Sequence, residues 1–412
     1  MEEIRKSLRF IFEHGLYPEV EKVSGCTTSP YVNIDGRRVL LACSNDYLGL
    51  ASSPIVKRAA QEAIEKYGVG SGGSRLVSGN ADIQAELERL IADFKGGEAA
   101  ITFSTGYMAN IGTIPAVADV LNISSSGERF QTSPFSRTHT IIFADEFCHA
   151  SVFDGCRLSR ARTIAYAHKD MADLETKLKK HGVRRKLIVT EGVFSMDGDI
   201  APLPDIIKLA KQYGALTMID DAHGTGVLGK HGRGTIEHFG LAEDAVDIVM
   251  GTFTKAFGAV GGFVIGNKEL VDYLRATSRP YIFSAPIPPS ISASIIAAIT
   301  VAKNNPELRD HLWENSAYLR TSLQKIGFNT LSSETQIIPV LIGDEKKCAQ
   351  LSRELLDSGI LAPCIRWPAV PWGKSRIRLI ARATNTQEHI DYLLQTMGKI
   401  GVKLELLNRA NG

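Results

Sequence analysis

Long hydrophobic runs are missing from this chain: the most apolar stretch, Ile291 to Val301, falls far short of the roughly 20 residues that a membrane span requires. An excess of charge is missing too. Lys+Arg 47 against Asp+Glu 45 leaves a formal net charge of +2 with no long run of either sign. Such a field is too weak to gather nucleic acid or an anionic membrane, so an anionic partner has to be met by a local site. None of the 6 cysteines (Cys26, Cys43, Cys148, Cys156, Cys348, Cys364) belongs to a C-x-x-C pair, which removes the usual zinc and dithiol patterns and leaves reduced thiols. HExxH is absent, and Asp220 and His223 have no third ligand at helical spacing, so no metal is expected. There is no internal repeat. The opening MEEIRKSLRF carries acids and no apolar core of signal-peptide length, which points to a soluble, cytoplasmic protein.

What is present is a large supply of core. With 44% hydrophobic residues over 412 positions, disorder and disulfide mini-scaffolds are excluded, and a large domain with a smaller one fits the length. Between residues 98 and 266 the runs AAITF, TIIFAD, RTIAYA, KLIVTEG, LTMIDDA, DIVMGTF and GGFVIG alternate with amphipathic segments. These predict seven strands in a mostly parallel sheet buried on both faces. Helices are predicted over Pro54 to Tyr67, with Ser53 as cap and Pro54 in the first turn, and over Ile83 to Lys95, Leu174 to Lys180 and Pro204 to Tyr213. After Ser284 come helical stretches at Ile291 to Ala302 and Leu308 to Ile326. A strand QIIPVLIG, a helix near Leu351 to Leu356 and a strand RIRLI follow, a second, α+β unit. The expected division is 1–50, an N-terminal segment packing with the small domain; 51–285, the large domain; and 286–412, the C-terminal α+β domain. Asn122 to Thr138, rich in Ser and Thr, reads as a surface loop.

Several motifs fall just past strand candidates, where ligands bind in open α/β sheets. GVGSGGSR (Gly68 to Arg75) has dinucleotide-type glycine spacing, but a helix precedes it where a strand is required, so it reads as a flexible loop. FSTGYMAN opens a helix, and the amides of Thr105, Gly106 and Tyr107 form a phosphate-type turn, or an ordinary strand-to-helix connection. In DDAHGTG, Asp220 suits a cationic ring nitrogen and His223 an oxyanion. In GTFTKAFG, apolar neighbours surround Lys255; desolvation there turns an ammonium into an amine able to form a Schiff base, although most lysines are surface groups. His149 in HAS and Ser195 in EGVFSMDGD occupy similar positions. Together these make one rim of one sheet. A phosphate site, a carboxylate for a ring nitrogen and a Schiff-base lysine describe pyridoxal 5′-phosphate.

The motifs NDYLGL, GSGGSRLVSGN, FSTGYMAN, HAS, EGVFSMDGD, DDAHGTGVLGKHGRG, GTFTKAFGAVGGF and RPYIFS, in this order over nearly the whole chain, resemble the α-oxoamine synthases. These are fold-type I pyridoxal-phosphate transferases. The resemblance implies an α/β fold with a mostly parallel seven-stranded sheet and a smaller C-terminal domain, assembled as a homodimer with shared sites. It implies decarboxylative condensation of a small amino acid, alanine foremost, with an acyl-CoA or an acyl-carrier protein; glycine or serine condensation, or an aminotransferase reaction, are the alternatives. Lys255 would carry the Schiff base and move the Cα proton, Asp220 would hold the pyridine nitrogen, and His149 would stack on the ring. His223 and Ser195 would bond near the phenolate oxygen. Thr252, with Thr105, Gly106 and Tyr107, would hold the phosphate, joined by Ser284 from the partner subunit. Asn45 and Arg378 would grip the amino-acid carboxylate. Four departures from the family pattern stand out: Cys148 before HAS, Gln84 after the glycine-rich loop, Pro18 in place of a basic residue, and ARATNT. The last is expected to put Arg382 and Asn385 near the substrate entrance, and Pro18 leans against a terminal carboxylate on the acyl chain.

Overall fold

The computed structural model describes residues 1–13, 16–17, 20–120, 140–182 and 184–407. Pro18 and the Asn122 to Thr138 insertion lie outside them. All seven predicted strands form and join one sheet: β1 (Ala99–Phe103), β2 (Ile141–Asp145), β3 (Arg162–Tyr166), β4 (Lys186–Glu191), β5 (Ala215–Asp220), β6 (Ile248–Thr252) and β7 (Gly262–Gly266). Their order is β1-β7-β6-β5-β4-β2-β3. β7 runs antiparallel to both β1 and β6, and the remaining pairs are parallel. β1 to β6 therefore point the same way, and their C-terminal ends make a single rim. Runs such as Ile141–Asp145 are buried at every position, as a sheet covered by helices on both faces demands.

The helices follow the predicted segments, with ends shifted by a few residues. Pro54–Tyr67 begins on its proline and stops at Gly68, whose φ of 77° few other residues adopt. Ser53 stands at its N-cap, but the side chain makes no capping bond. Glu307–Ile326, Glu345–Asp357 and the strands Ile337–Gly343 and Ser375–Ile380 appear where expected. The helix Pro289–Asn304, expected with the C-terminal unit, buries Ile295, Ala298 and Ile299 in one cluster with Leu87, Ile91 and Phe253 of the large domain. Strand Arg37–Leu41 pairs in parallel with Ile360–Leu361, and Ile380 N–H donates to the Ala42 carbonyl.

One close approach matters for the site. A Cβ on Gly155 would stand 3.0 Å from Ile114 Cδ1 and 3.1 Å from the Asn110 carbonyl. The missing side chain lets helix Ala150–Ser159, which starts after His149, lie against helix Gly106–Ala118, which carries Asn110.

Candidate active site

Five strand ends bring the predicted residues together. Beyond β1, Thr105 caps helix Gly106–Ala118, its Oγ1 accepting the Met108 N–H at 3.1 Å. The first N–H groups of a helix are not used within it, so this end attracts an anion. A Cβ on Gly106 would lie 3.2 Å from both Thr252 Oγ1 and Met250 Cε, so any larger residue there would press the helix start against the end of β6. Thr252 donates its hydroxyl to the Gly261 carbonyl at 2.7 Å. The Tyr107 ring is exposed, and its hydroxyl is bonded to Asp154.

Asp220 ends β5 and is buried; its Oδ1 accepts the Ala222 N–H at 3.1 Å, and its Oδ2 accepts Asn110 Nδ2 at 2.7 Å. The same Nδ2 donates to Ser151 Oγ at 2.9 Å, which lies 2.7 Å from His149 Nδ1. Asp220 and His149 are thus linked through two polar side chains. A buried carboxyl, Glu191 at the end of β4, bridges the flanking loops. One of its oxygens accepts the His149 N–H at 2.5 Å and the other the Ser195 N–H at 3.3 Å. Burial, and then the charge of Asp220, push its pKa well above the usual carboxylate range.

His223 is buried, with Nδ1 2.5 Å from the Tyr47 hydroxyl. Burial, followed by the charges of Lys255, Arg378 and His149, depresses its pKa far below the usual imidazole value. Burial also pushes Tyr47 up to about 12. The phenol therefore keeps its proton beside a neutral ring; where that proton goes to Nδ1 rather than to Asn45 Oδ1, 3.3 Å away, Nε2–H is the donor on the other side. Lys255, half-buried past the end of β6, is drawn down to about 8 by loss of hydration, with Arg378 adding to the effect and Asp220 and Glu191 opposing it. Arg378 is itself buried; its Nε donates to the Ser195 carbonyl at 2.6 Å and its Nη1 to Asn45 Oδ1 at 3.1 Å.

Ser284 stands apart from this cluster's hydrogen bonds, donating to the Pro280 carbonyl at 2.6 Å. Arg382 is fully buried, contrary to its expected place at an entrance. Its guanidinium donates to the Thr28 and Leu41 carbonyls at 2.7 and 3.2 Å, while Asn385 Oδ1 accepts its N–H at 2.9 Å. Gln84 is likewise a buried tie, its Nε2 donating to the Ile287 carbonyl at 3.0 Å. Asn110, Glu191 and Tyr47 were not singled out from the sequence, although each lies inside a motif that was. A cavity of about 680 Å³, lined by Glu98, Leu216, Ile248 and Gly266, lies at the opposite rim of the sheet, away from these residues.

Residues 37–397 match the family described as Aminotransferase class I and II, and the chain belongs to it. Within that family it is similar over its full length to α-oxoamine synthases. It is 43% identical to the 8-amino-7-oxononanoate synthase of Thermosipho melanesiensis, with 98% of each chain covered. To that of Lysinibacillus sphaericus it is 46% identical, covering 98% of this chain and 99% of the other. Among solved structures, the serine palmitoyltransferase of S. paucimobilis with bound PLP-myriocin aldimine superimposes with a TM-score of 0.89 at 32% identity, 98% of each chain being covered. The donor set suits pyridoxal 5′-phosphate, this family's cofactor. A buried carboxylate on Asp220, an amine of lowered pKa on Lys255 and a glycine-opened helix end are groups of the kind that its ring nitrogen, aldehyde and phosphate call for. No helix among the described residues is long and apolar enough to cross a membrane.

Proposed function

We propose that this chain condenses L-alanine with a heptanedioyl thioester, releasing carbon dioxide and the thiol and giving 8-amino-7-oxononanoate. The observation that carries the reading is the full-length likeness, at 42–46% identity, to relatives bearing that name. The name sets the carbon count. Alanine without its carboxyl contributes two carbons, C8 and C9, so the acyl donor brings the other seven and ends in a carboxylate. That outweighs the contrary lean drawn from Pro18.

When bound, pyridoxal 5′-phosphate supplies an aldehyde for amines and an electron sink for the pair left at Cα. The residues then divide the work. Lys255 Nζ, about one-tenth amine at pH 7 with its pKa drawn down to about 8, would hold the aldehyde carbon and would take and return the Cα proton. Asp220, steadied by Asn110, would keep a proton on the ring nitrogen. His149 would pack on the ring, and His223, with Ser195, would donate to the phenolate oxygen. The first turn at Thr105, Gly106 and Tyr107, with Thr252, would hold the phosphate. Arg378 and Asn45, already bonded to one another, would present a planar grip to the substrate carboxylate and so orient it.

The proposal includes a homodimer in which Ser284 completes the neighbouring site; Phe283 beside it is 70% exposed and leaves apolar surface for an interface. It also includes the division of the chain at residues 50 and 285, acyl-CoA or acyl-carrier donors and a cytoplasmic setting. The test is product analysis by mass spectrometry with alanine, glycine and serine, each paired with heptanedioyl and hexadecanoyl thioesters. Alanine with the dicarboxylic donor should dominate. Preference for serine with the long chain would move the assignment to a palmitoyltransferase-type reaction.

A further inference from the structure

Behind the face assigned to the cofactor, the loops carrying His149 and Ser195 are tied a second time, by a group the reaction does not use. His168 follows β3. Its Nδ1 is 3.0 Å from Asp145 Oδ1 at the end of β2, and its Nε2 is 3.0 Å from Asp199 Oδ2, four residues beyond Ser195. Both carboxylates are buried. Phe147, two residues before His149, stacks on the imidazole at 4.3 Å, and Phe194, next to Ser195, meets it edge-on at 4.4 Å. Each loop also folds onto its own carboxylate residue: Asp145 Oδ1 accepts the Phe147 N–H at 2.9 Å, and the Asp199 carbonyl accepts the Phe194 N–H at 3.0 Å.

A carboxylate accepts and cannot donate, so a ring with a carboxylate at each nitrogen is satisfied only when both nitrogens carry protons. Burial alone would oppose that charge, but the two acids outweigh it and push His168 up to about 9. The other charged groups around it leave the balance negative. Glu146 accepts the His168 N–H at 3.0 Å, Lys169 Nζ is 3.0 Å from Asp199, and Glu334 lies 3.9 Å from that lysine.

We propose that His168, as an imidazolium held between Asp145 and Asp199, is a positioning residue that locks the His149 and Ser195 loops together and thereby sets how tightly the cofactor is retained. This rests on the reading that those two residues face the cofactor. Because the bound ring titrates above an ordinary histidine, the lock is whole at neutral pH and opens as pH rises through about 9.

The test uses the holoenzyme, the protein stripped of cofactor, and the variants His168→Gln, His168→Lys and Asp199→Asn. Cofactor release on dilution should speed up about tenfold in the native protein as the lock opens, one pH unit of coupling being a factor of ten. His168→Gln should release about tenfold faster already at pH 7 and lose that alkaline step. His168→Lys, which keeps a cation between the acids, should recover much of the retention. Asp199→Asn, with one acid left, should move the step down by about a unit and keeps the question answerable if the glutamine variant does not fold. In stripped protein at pH 7, amide exchange over residues 145–152 and 191–199 should rise in His168→Gln. Ring NMR of the native stripped protein should place the His168 titration near 9. Unchanged release, unchanged exchange or a ring titrating below 7 would overturn the proposal. If native protein does not capture pyridoxal phosphate on Lys255, the reading of the site fails instead, while exchange and ring titration still judge the lock.

Discussion

The amine of Lys255 offers the sharpest quantitative test, because its surroundings draw it from 10.5 to about 8. At pH 7 a group with a pKa of 8 is about one-tenth neutral, whereas one at 10.5 is neutral only about once in 3,000. The folded site therefore raises the concentration of the nucleophile about 300-fold. Covalent capture of pyridoxal phosphate by stripped protein, followed by stopped-flow absorbance and trapped with borohydride, should rise tenfold per pH unit below about 8 and level off above it. Two substitutions push the inflection in opposite directions. Arg378→Gln removes a cation that depresses the lysine and should move it upward; Asp220→Asn removes an anion that supports the ammonium and should move it downward. A charge close enough to perturb a titrating group moves its pKa by about 1–3 units, so shifts of about one pH unit are expected. An inflection near 10.5, a flat profile, or shifts of the same sign would refute the account of how the site activates its lysine. A borohydride-fixed adduct on any other lysine would remove Lys255 from its role.

Tyr47→Phe leaves the buried His223 Nδ1 without its donor, at a cost of about 1–3 kcal/mol, and frees the ring to choose the other tautomer; cofactor affinity should fall about tenfold, read by equilibrium dialysis. Asn110→Ala takes one amide from both Asp220 and Ser151 and should lower stability by about 1.5–3 kcal/mol in urea titration, the value for a hydrogen bond to a charged group. Arg382→Ala should cost about 1–3 kcal/mol in the same assay, since the Leu41 carbonyl and the half-buried Thr28 carbonyl lose their donor. The surviving folded fraction should keep its substrate preference, because Arg382 grips backbone; a change in preference would restore it to the entrance. His168 is raised, so the stability it contributes is whole below about 6.5 and fades as pH climbs through about 9. Urea titrations of native protein and His168→Gln should converge at the alkaline end of that window.

How much of this was legible in the sequence follows from the range of the forces involved. The seven strands announce themselves because burial on both faces makes each a continuous apolar run, a signal contained in five or six neighbouring residues. The residues at their ends inherit that legibility, which is why Asp220, Lys255 and His149 could be placed on one rim from the sequence alone. What supports them could not be placed. Tyr47 reaches His223 across 176 positions and Asn110 reaches Asp220 across 110, and no local pattern records a bond closed only by tertiary packing. Arg382 shows the converse error. An arginine in a polar string reads as surface, yet two backbone carbonyls and the field of Asp46 make its burial tolerable. Ser53 holds the right position for a cap and its side chain makes no capping bond. Motifs thus disclosed the groups proposed to meet the cofactor, while the groups that aim them emerged only when distant parts of the chain were brought within hydrogen-bonding distance. His168 belongs to the second kind: nothing around it in YAHKDM distinguishes it from a surface histidine, and its meaning comes from two carboxylates, one on each of the loops the chemistry needs held still.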